Sequence, residues 1–253
     1  MSLVCRINLW SGPRNVSTAL MYSFAERADT RVVDEPLYAH YLLTSGADHP
    51  GRDEVLAEQV SDGASVIRDV VLGPVDRPVV FFKQMAHHLD GIDRAFLADT
   101  EHVLLVRDPR EMLPSLLRNL EEPELKDTGL PAQVELLEEL QAMGKEPPVL
   151  DAKALLENPP GVLRRLCDRL DIPFDEGMLS WPSGPRDEDG VWAPYWYERV
   201  HRSTGFRPWA PKNESVPPEF EGLLEACLEL YAPLERRAIR GSATAECGPE
   251  ETT

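Results

Sequence analysis

Apolar residues gather into five short runs, at positions 4–10, 31–33, 79–82, 102–106 and 148–150. They are rich in Val, Ile, Leu and Phe and do not alternate cleanly with polar residues. Strands covered on both faces read this way, as in a parallel sheet. Between the runs the period changes. Residues 17–28 carry Leu20, Met21 and Phe24 at helical spacing, and residues 111–120 carry Met112, Leu116, Leu117 and Leu120. Asn158-Pro159-Pro160 supplies a cap and an early proline for a further helix, whose apolar stripe continues through Leu163, Leu166, Cys167 and Leu170. Strands alternating with helices imply βαβ units, hence right-handed crossovers and an α/β fold around a mostly parallel sheet of about five strands.

Two segments break the alternation. Residues 37–78 are expected to hold a helix or two beside the sheet. Residues 180–209 are rich in Trp, Pro and Gly and hold four of the five tryptophans. A segment of that composition either packs its rings on the core or covers a site; both insertions are expected to shape a substrate pocket or its lid. Residues 217–239 read as a helix kinked at Pro233, and 241–253 as a disordered acidic tail. The organisation expected is one α/β domain over residues 1–240, followed by that tail.

Composition then narrows the function. Forty-four acidic against 26 basic residues give a formal charge of −18. So negative a surface repels nucleic acid and anionic lipid, and neither is an expected partner. No run approaches the roughly eighteen apolar residues of a membrane span. The four cysteines lie far apart with no CxxC pair, which suits reduced thiols rather than a zinc cluster or a disulfide framework. The first ten residues, MSLVCRINLW, lack the features of a secretory leader. A cytoplasmic protein is expected. In a chain this acidic, an anion site has to be made locally, from arginines and backbone N–H groups.

Two stretches have the means. In "INLWSGPRNVSTAL" a strand ends in a small-residue turn and a helix starts at Ser17 or Thr18. The free N–H groups of a first helical turn attract phosphate or sulfate. Arg14 adds a bidentate donor fork, and Ser17 and Thr18 add hydroxyls. An ordinary turn in which Ser17 merely caps the helix has the same pattern. The stretch lacks the second glycine and the lysine of G-x-x-x-x-G-K-[ST], so it is a poor match to an ATP or GTP loop. In "HVLLVRDPREMLPSLL", Arg107 ends a strand and Ser115 follows eight residues later, after an Asp108-Pro109-Arg110 turn. Both would converge on the carboxyl edge of the sheet, where α/β proteins bind ligands.

Together these motifs resemble the nucleotide signature of the PAPS-dependent sulfotransferases. There a strand-loop-helix near the N-terminus holds the 5′-phosphosulfate, and an arginine with a serine eight residues on holds the 3′-phosphate. "PRNVSTAL" is similar to the PRSGTTL loop of the tyrosylprotein and bacterial branch, with Asn15-Val16 in place of Ser-Gly. "VLDAKALLENPPGVLRRLCDRLDIPFDEGML" resembles the family's late strand and following helix. The likeness spans roughly residues 7–179 in the family's order. It implies a three-layer P-loop-like α/β fold and an enzyme that moves a sulfuryl group from PAPS to a small-molecule acceptor, without a metal.

The resemblance also assigns roles. Glu35, in "RVVDEPLYAHYL", occupies the place of the glutamate general base, with Asp34 as a possible substitute; alternatively one of them caps a helix beginning near Pro36. Lys83, at a strand end, would stabilise charge on the oxygen bridging sulfate and phosphate. His87 or His88 is a further candidate base, or a packed residue. Arg14 would serve both nucleotide and transferred group. Asn15, Ser17, Thr18, Arg107 and Ser115 complete the nucleotide set, with Arg202 of "HRSTGFRPW" closing over the 3′-phosphate. Tyr38, Tyr41, Trp192, Tyr195 and Trp196 permit a ring-bearing acceptor. Two other readings compete: a P-loop kinase with Mg²⁺ on Asp34 or Asp108, and a non-catalytic nucleotide-binding module.

Overall fold

The structure, a computed structural model, describes residues 4–211 and 214–241. Five strands, β1 (Cys5–Ser11), β2 (Thr30–Asp34), β3 (Val79–Met85), β4 (Glu101–Val106) and β5 (Val149–Asp151), form one sheet in the order β2-β3-β1-β4-β5. Every pairing is parallel. Each predicted run falls within one residue of a strand start. The sheet is an α/β sheet flanked by helices, as the alternation of periods implied.

Alternation within the strands builds the layers. Ile7 and Leu9 of β1, Val79 and Phe81 of β3, and Val103 and Leu105 of β4 face one core, shared with α1 (Ser17–Ala25) and α8 (Pro159–Arg169). Trp10, Val80 and Phe82 face a second core with α6 (Leu130–Ala142), while Leu104 and Val106 join α5 (Pro109–Leu116) and α11 (Glu221–Glu235). Because both faces are covered, the runs do not alternate cleanly between apolar and polar residues. Phe24 stacks on Phe81 at 4.0 Å between ring centres, fixing α1 to the sheet.

Helix ends shift for local reasons. The predicted helix 111–120 starts earlier, at Pro109, because the Asp108 carboxylate caps it by accepting from the Arg110 N–H at 2.9 Å. The predicted helix 17–28 stops at Ala25, and Arg27 turns inward to donate to Asp29, Thr30 and the Pro173 carbonyl. Asn158 caps α8 as its sequence implied, accepting from Gly161 N–H. Pro233 stands inside the last part of α11.

Residues 37–78 hold α2 (Tyr38–Ser45), α3 (Arg52–Glu58), α4 (Gly63–Val66) and a π-helical turn, Ile67–Val71. A short α7 (Ala152–Glu157) precedes α8, and residues 180–209 hold α9 (Ala193–Trp196) and α10 (Glu198–His201). The thirteen-residue α6 has no counterpart in the sequence reading. Of the predicted tail, residues 242–253 lie outside the described residues. Among those described, no helix is long and apolar enough to cross a membrane.

Candidate active site

β1 lies between β3 and β4, so the chain leaves it to one side for β2 and β3 and crosses to the other for β4. This reversal opens a crevice at the carboxyl edge, the usual ligand position in such sheets. Parallel register aligns the strand ends: Asp34 pairs with Lys83, and Ser11 with both Met85 and Leu105. A cavity of about 1140 Å³ runs along this edge and is lined by Arg14, Asn15, Ser17, Thr18, Glu35, Lys83, Arg107 and Ser115. Eight of the predicted residues thus share one cleft. Arg202 does not join them: it is exposed and pairs with Glu198 at 2.7 Å.

The two anion stretches touch. Arg14 Nε donates to Ser115 Oγ at 2.9 Å, and Arg107 Nη1 donates to the Arg14 carbonyl at 2.7 Å. Arg14 adopts a left-handed backbone, φ 57°, an uncommon state for a non-glycine residue that the Arg107 contact helps hold. Asn15 replaces the conformational freedom of glycine with side-chain pins: its Oδ1 accepts from Val16 N–H at 2.8 Å and its Nδ2 donates to the Leu105 carbonyl at 3.0 Å. α1 then begins with no side-chain cap, so the first-turn N–H groups are not spent on Ser17 or Asn15. Burial, and then the charges of Arg118, Arg199 and Arg107, pull Arg14 below the ordinary arginine value. In a chain of −18 this is a concentrated positive pocket. Arg107 Nε is buried without a partner, a donor held ready at the cavity wall.

The other end is a buried carboxylate-lysine knot. Lys83 Nζ donates to Asp34 Oδ1 at 2.9 Å, to Tyr197 Oη at 2.6 Å and to Glu35 Oε1. Tyr197 in turn donates to Asp34 Oδ2 at 2.7 Å and accepts from Trp192 Nε1 at 3.0 Å. All three ammonium protons are therefore committed, which leaves none for a bridging oxygen, the role expected of Lys83. Burial would lower Lys83, yet Asp34 and Glu35 together hold it well above the usual lysine range. Glu35 is raised, by burial first and by Asp34 as well; Lys83 opposes but is shared between two carboxylates. Glu35 also has a positive φ, 35°, and Gln59 from the first insertion donates to its carbonyl at 3.2 Å. Neither acid caps a helix: α2 begins at Tyr38 with no side-chain cap.

His88 is stacked between Tyr38 and Tyr41, with its Nδ1 4.0 Å from Glu35. Burial pulls His87 down to about 4 and His88 well below its usual value, so both are neutral. Tyr38, Tyr41, Trp192 and Trp196 line the cavity beside Glu35. Tyr195 does not; it is half-exposed and donates to Glu54 at 3.0 Å. The metal ligands of the kinase reading are both occupied, Asp34 by the knot and Asp108 as helix cap and partner of Arg110.

Three contributors escaped the sequence reading. Tyr197 completes the knot from the 180–209 segment. Gln133 of α6 donates to the carbonyls of Trp10 and Leu105, pinning the ends of β1 and β4 beneath the loop. Arg199 brings a further cation to the cavity. Only the tyrosine in "PYWYERVH" carried a signal, as a polar handle within an apolar segment.

Fold and cleft define an α/β protein with two arginine-bearing loops in contact at the carboxyl edge of one parallel sheet. The chain belongs to the sulfotransferase domain family, which it matches over residues 5–238. "Branched-chain-amino-acid aminotransferase-like protein 2" of Arabidopsis thaliana is 41% identical over 226 residues, covering 89% of this chain and 40% of that protein. The corresponding protein 1 is 43% identical over 238 residues, covering 94% and 43%. The chain thus spans about two fifths of the length of these curated relatives. The sulfotransferase domain of a Synechococcus olefin synthase superposes with a TM-score of 0.59 at 19% identity, over 89% of this chain and 94% of that one. A sulfotransferase from Alicyclobacillus acidocaldarius gives 0.57 at 11%, over 93% and 97%. At these identities the superpositions speak for the fold.

Proposed function

We propose that this protein transfers a sulfuryl group from PAPS to a neutral hydroxyl or amine of a small, ring-bearing acceptor. The observation that carries the reading is the direct contact between the two arginine loops at one edge of the sheet, with Arg107 lining the cleft and its Nε buried without a partner. A donor with phosphates at both ends fits such a pair, because each end meets its own guanidinium and the nucleotide is held at two points.

The donor supplies an activated sulfur. The chain's residues do the rest. Arg107 and Ser115 hold the 3′-phosphate; the loop 14–18 and the first turn of α1 hold the 5′-phosphosulfate. Glu35, raised by burial, accepts the acceptor's proton as a new bond forms from acceptor oxygen or nitrogen to sulfur. The bond from sulfur to the bridging oxygen breaks with its electron pair left on the 5′-phosphate. The products are sulfated acceptor, adenosine 3′,5′-bisphosphate and one proton. Lys83 holds Glu35 in place instead of touching the leaving oxygen, and Asp34 and Tyr197 hold Lys83.

The aminotransferase-like names of the plant relatives belong to much longer proteins and supply no part of this reading. Calorimetric titration with adenosine 3′,5′-bisphosphate and, separately, ATP with Mg²⁺ tests it. Tight binding of the bisphosphate is expected. Binding of Mg·ATP with indifference to the bisphosphate overturns the reading.

A further inference from the structure

With Lys83 fully committed, the charge that builds up on the leaving oxygen needs another cation. Arg14 is one, but its Nε is already turned to Ser115. The segment 180–209 offers the other. It lies along the cavity between two anchors: Tyr197, bonded to Lys83 and Asp34, and Trp209, whose Nε1 donates to Glu111 at 2.7 Å beside Arg107. Glu111 itself bonds Arg107 at 3.2 Å. Position along the segment therefore maps onto position along the donor. The Tyr197 end lies at the candidate base, and the Trp209 end lies at the 3′-phosphate arginine.

Arg199 stands two residues from the Tyr197 anchor, on α10, and lines the cavity. It is exposed, and among the described residues no hydrogen bond or ion pair engages it, in contrast to Arg202 one turn on. Its charge is felt at Arg14 across the cleft. Arg199 shares that cavity with Glu35 and residues 14–18, between which the transferred group has to lie, and it is a cation there with no partner of its own among the described residues. Arg suits that place, since its planar fork matches a tetrahedral oxyanion bidentately.

We propose that Arg199 binds the terminal sulfuryl group of the donor and neutralises charge on the bridging oxygen as the sulfur–oxygen bond breaks, the task the family resemblance gave to Lys83. This rests on the reading of the donor as PAPS. The electron pair of the broken bond goes to the 5′-phosphate, which Arg199 faces; the residue takes no proton and forms no bond.

The test needs no acceptor. Affinities of PAPS and of adenosine 3′,5′-bisphosphate, which lacks the sulfuryl group, are measured by titration for the wild type, Arg199→Ala and Arg199→Lys. Arg199→Ala is expected to weaken PAPS at least tenfold while changing the bisphosphate less than threefold, with Arg199→Lys recovering part of the loss. Equal changes for the two ligands, or none for either, overturn the assignment. If wild type binds neither nucleotide, the reading of the donor fails instead. Because Arg199 is exposed, both variants are expected to unfold at the wild-type denaturant concentration, which a urea titration checks.

Discussion

The two ends of the cleft are made in different ways. The anion end consists of two strand-loop-helix units, each contiguous in sequence, and its contacts join loop to loop. The base end is a single buried knot whose members come from β2, β3 and the 180–209 segment, 163 residues apart at the widest hydrogen bond. At the anion end charge is concentrated and left partly unspent; at the base end Lys83, Asp34 and Tyr197 answer one another. The first arrangement suits a guest that brings its own countercharge. The second suits a carboxylate that must stay in one place and lose its charge only when a proton arrives.

The largest separation between the ends should appear on removing their cations. Lys83→Ala leaves Asp34 and Glu35 buried without a counterion, and a loss of about 3–5 kcal/mol in urea unfolding is expected. Arg107→Ala, by contrast, should cost only about 1 kcal/mol of stability, for its bonds to the Arg14 carbonyl and Glu111, and about 1–3 kcal/mol in binding of adenosine 3′,5′-bisphosphate. If both variants lost mainly stability, the contrast between structural and ligand-holding cations would fail.

Acid probes the same difference. His87 and His102 are each held near 4 by burial, against a usual value of 6.5. The unfolded chain therefore binds protons that the folded chain refuses, and stability should fall as pH drops from about 6.5 to 4, by on the order of 3 kcal/mol per histidine. His102 accepts from Trp10 Nε1 at 3.1 Å and its Nε2 donates to the Leu97 carbonyl, so its neutral form is built in. His102→Gln should flatten the decline in a series of urea titrations across this window. Over the same window turnover of PAPS should fall on an acid limb above the ordinary glutamate range, as Glu35 takes up a proton. That limb should vanish in Glu35→Gln.

The smallest change is the most specific. Tyr197→Phe removes one hydroxyl from Lys83, Asp34 and Trp192 and should destabilise by about 1–3 kcal/mol. Bisphosphate affinity should stay within twofold. A larger loss of affinity than of stability would mean that the two ends are energetically one.

How legible each end was follows from the same contrast. Strands buried on both faces declare themselves locally, so all five could be read from apolar runs, and with them the residues at or near their ends: Arg14, Glu35 and Arg107 beyond them, and Lys83 within β3. What joins those residues is not local. No spacing says that Asp34 and Lys83 share a register, because strand order depends on which hydrophobic faces meet. The commitment of Lys83 to three acceptors depended on Tyr197, which joins two short helices held by burial of Trp192 and Tyr197 rather than by propensity. α6 went unread although its leucines recur at helical spacing: it starts after Gly129 with no polar cap, so the usual signal of a helix start is missing. Arg202 was expected at the cleft from a loose motif; it pairs with Glu198 instead, and Arg199, one turn earlier on α10, lines the cavity.

Gly12 and Gly129 meet back to back, with a Cβ at Gly12 falling 2.5 Å from the Thr128 carbonyl oxygen and one at Gly129 falling 2.8 Å from the Gly12 Cα. Main chain rests on main chain there, and no side chain intervenes that exchange could lengthen or trim. The depth of the crevice below the loop is thereby set by peptide planes. On the function proposed above, acceptor choice would then be written in the two insertions, which makes those segments the natural place to redesign it.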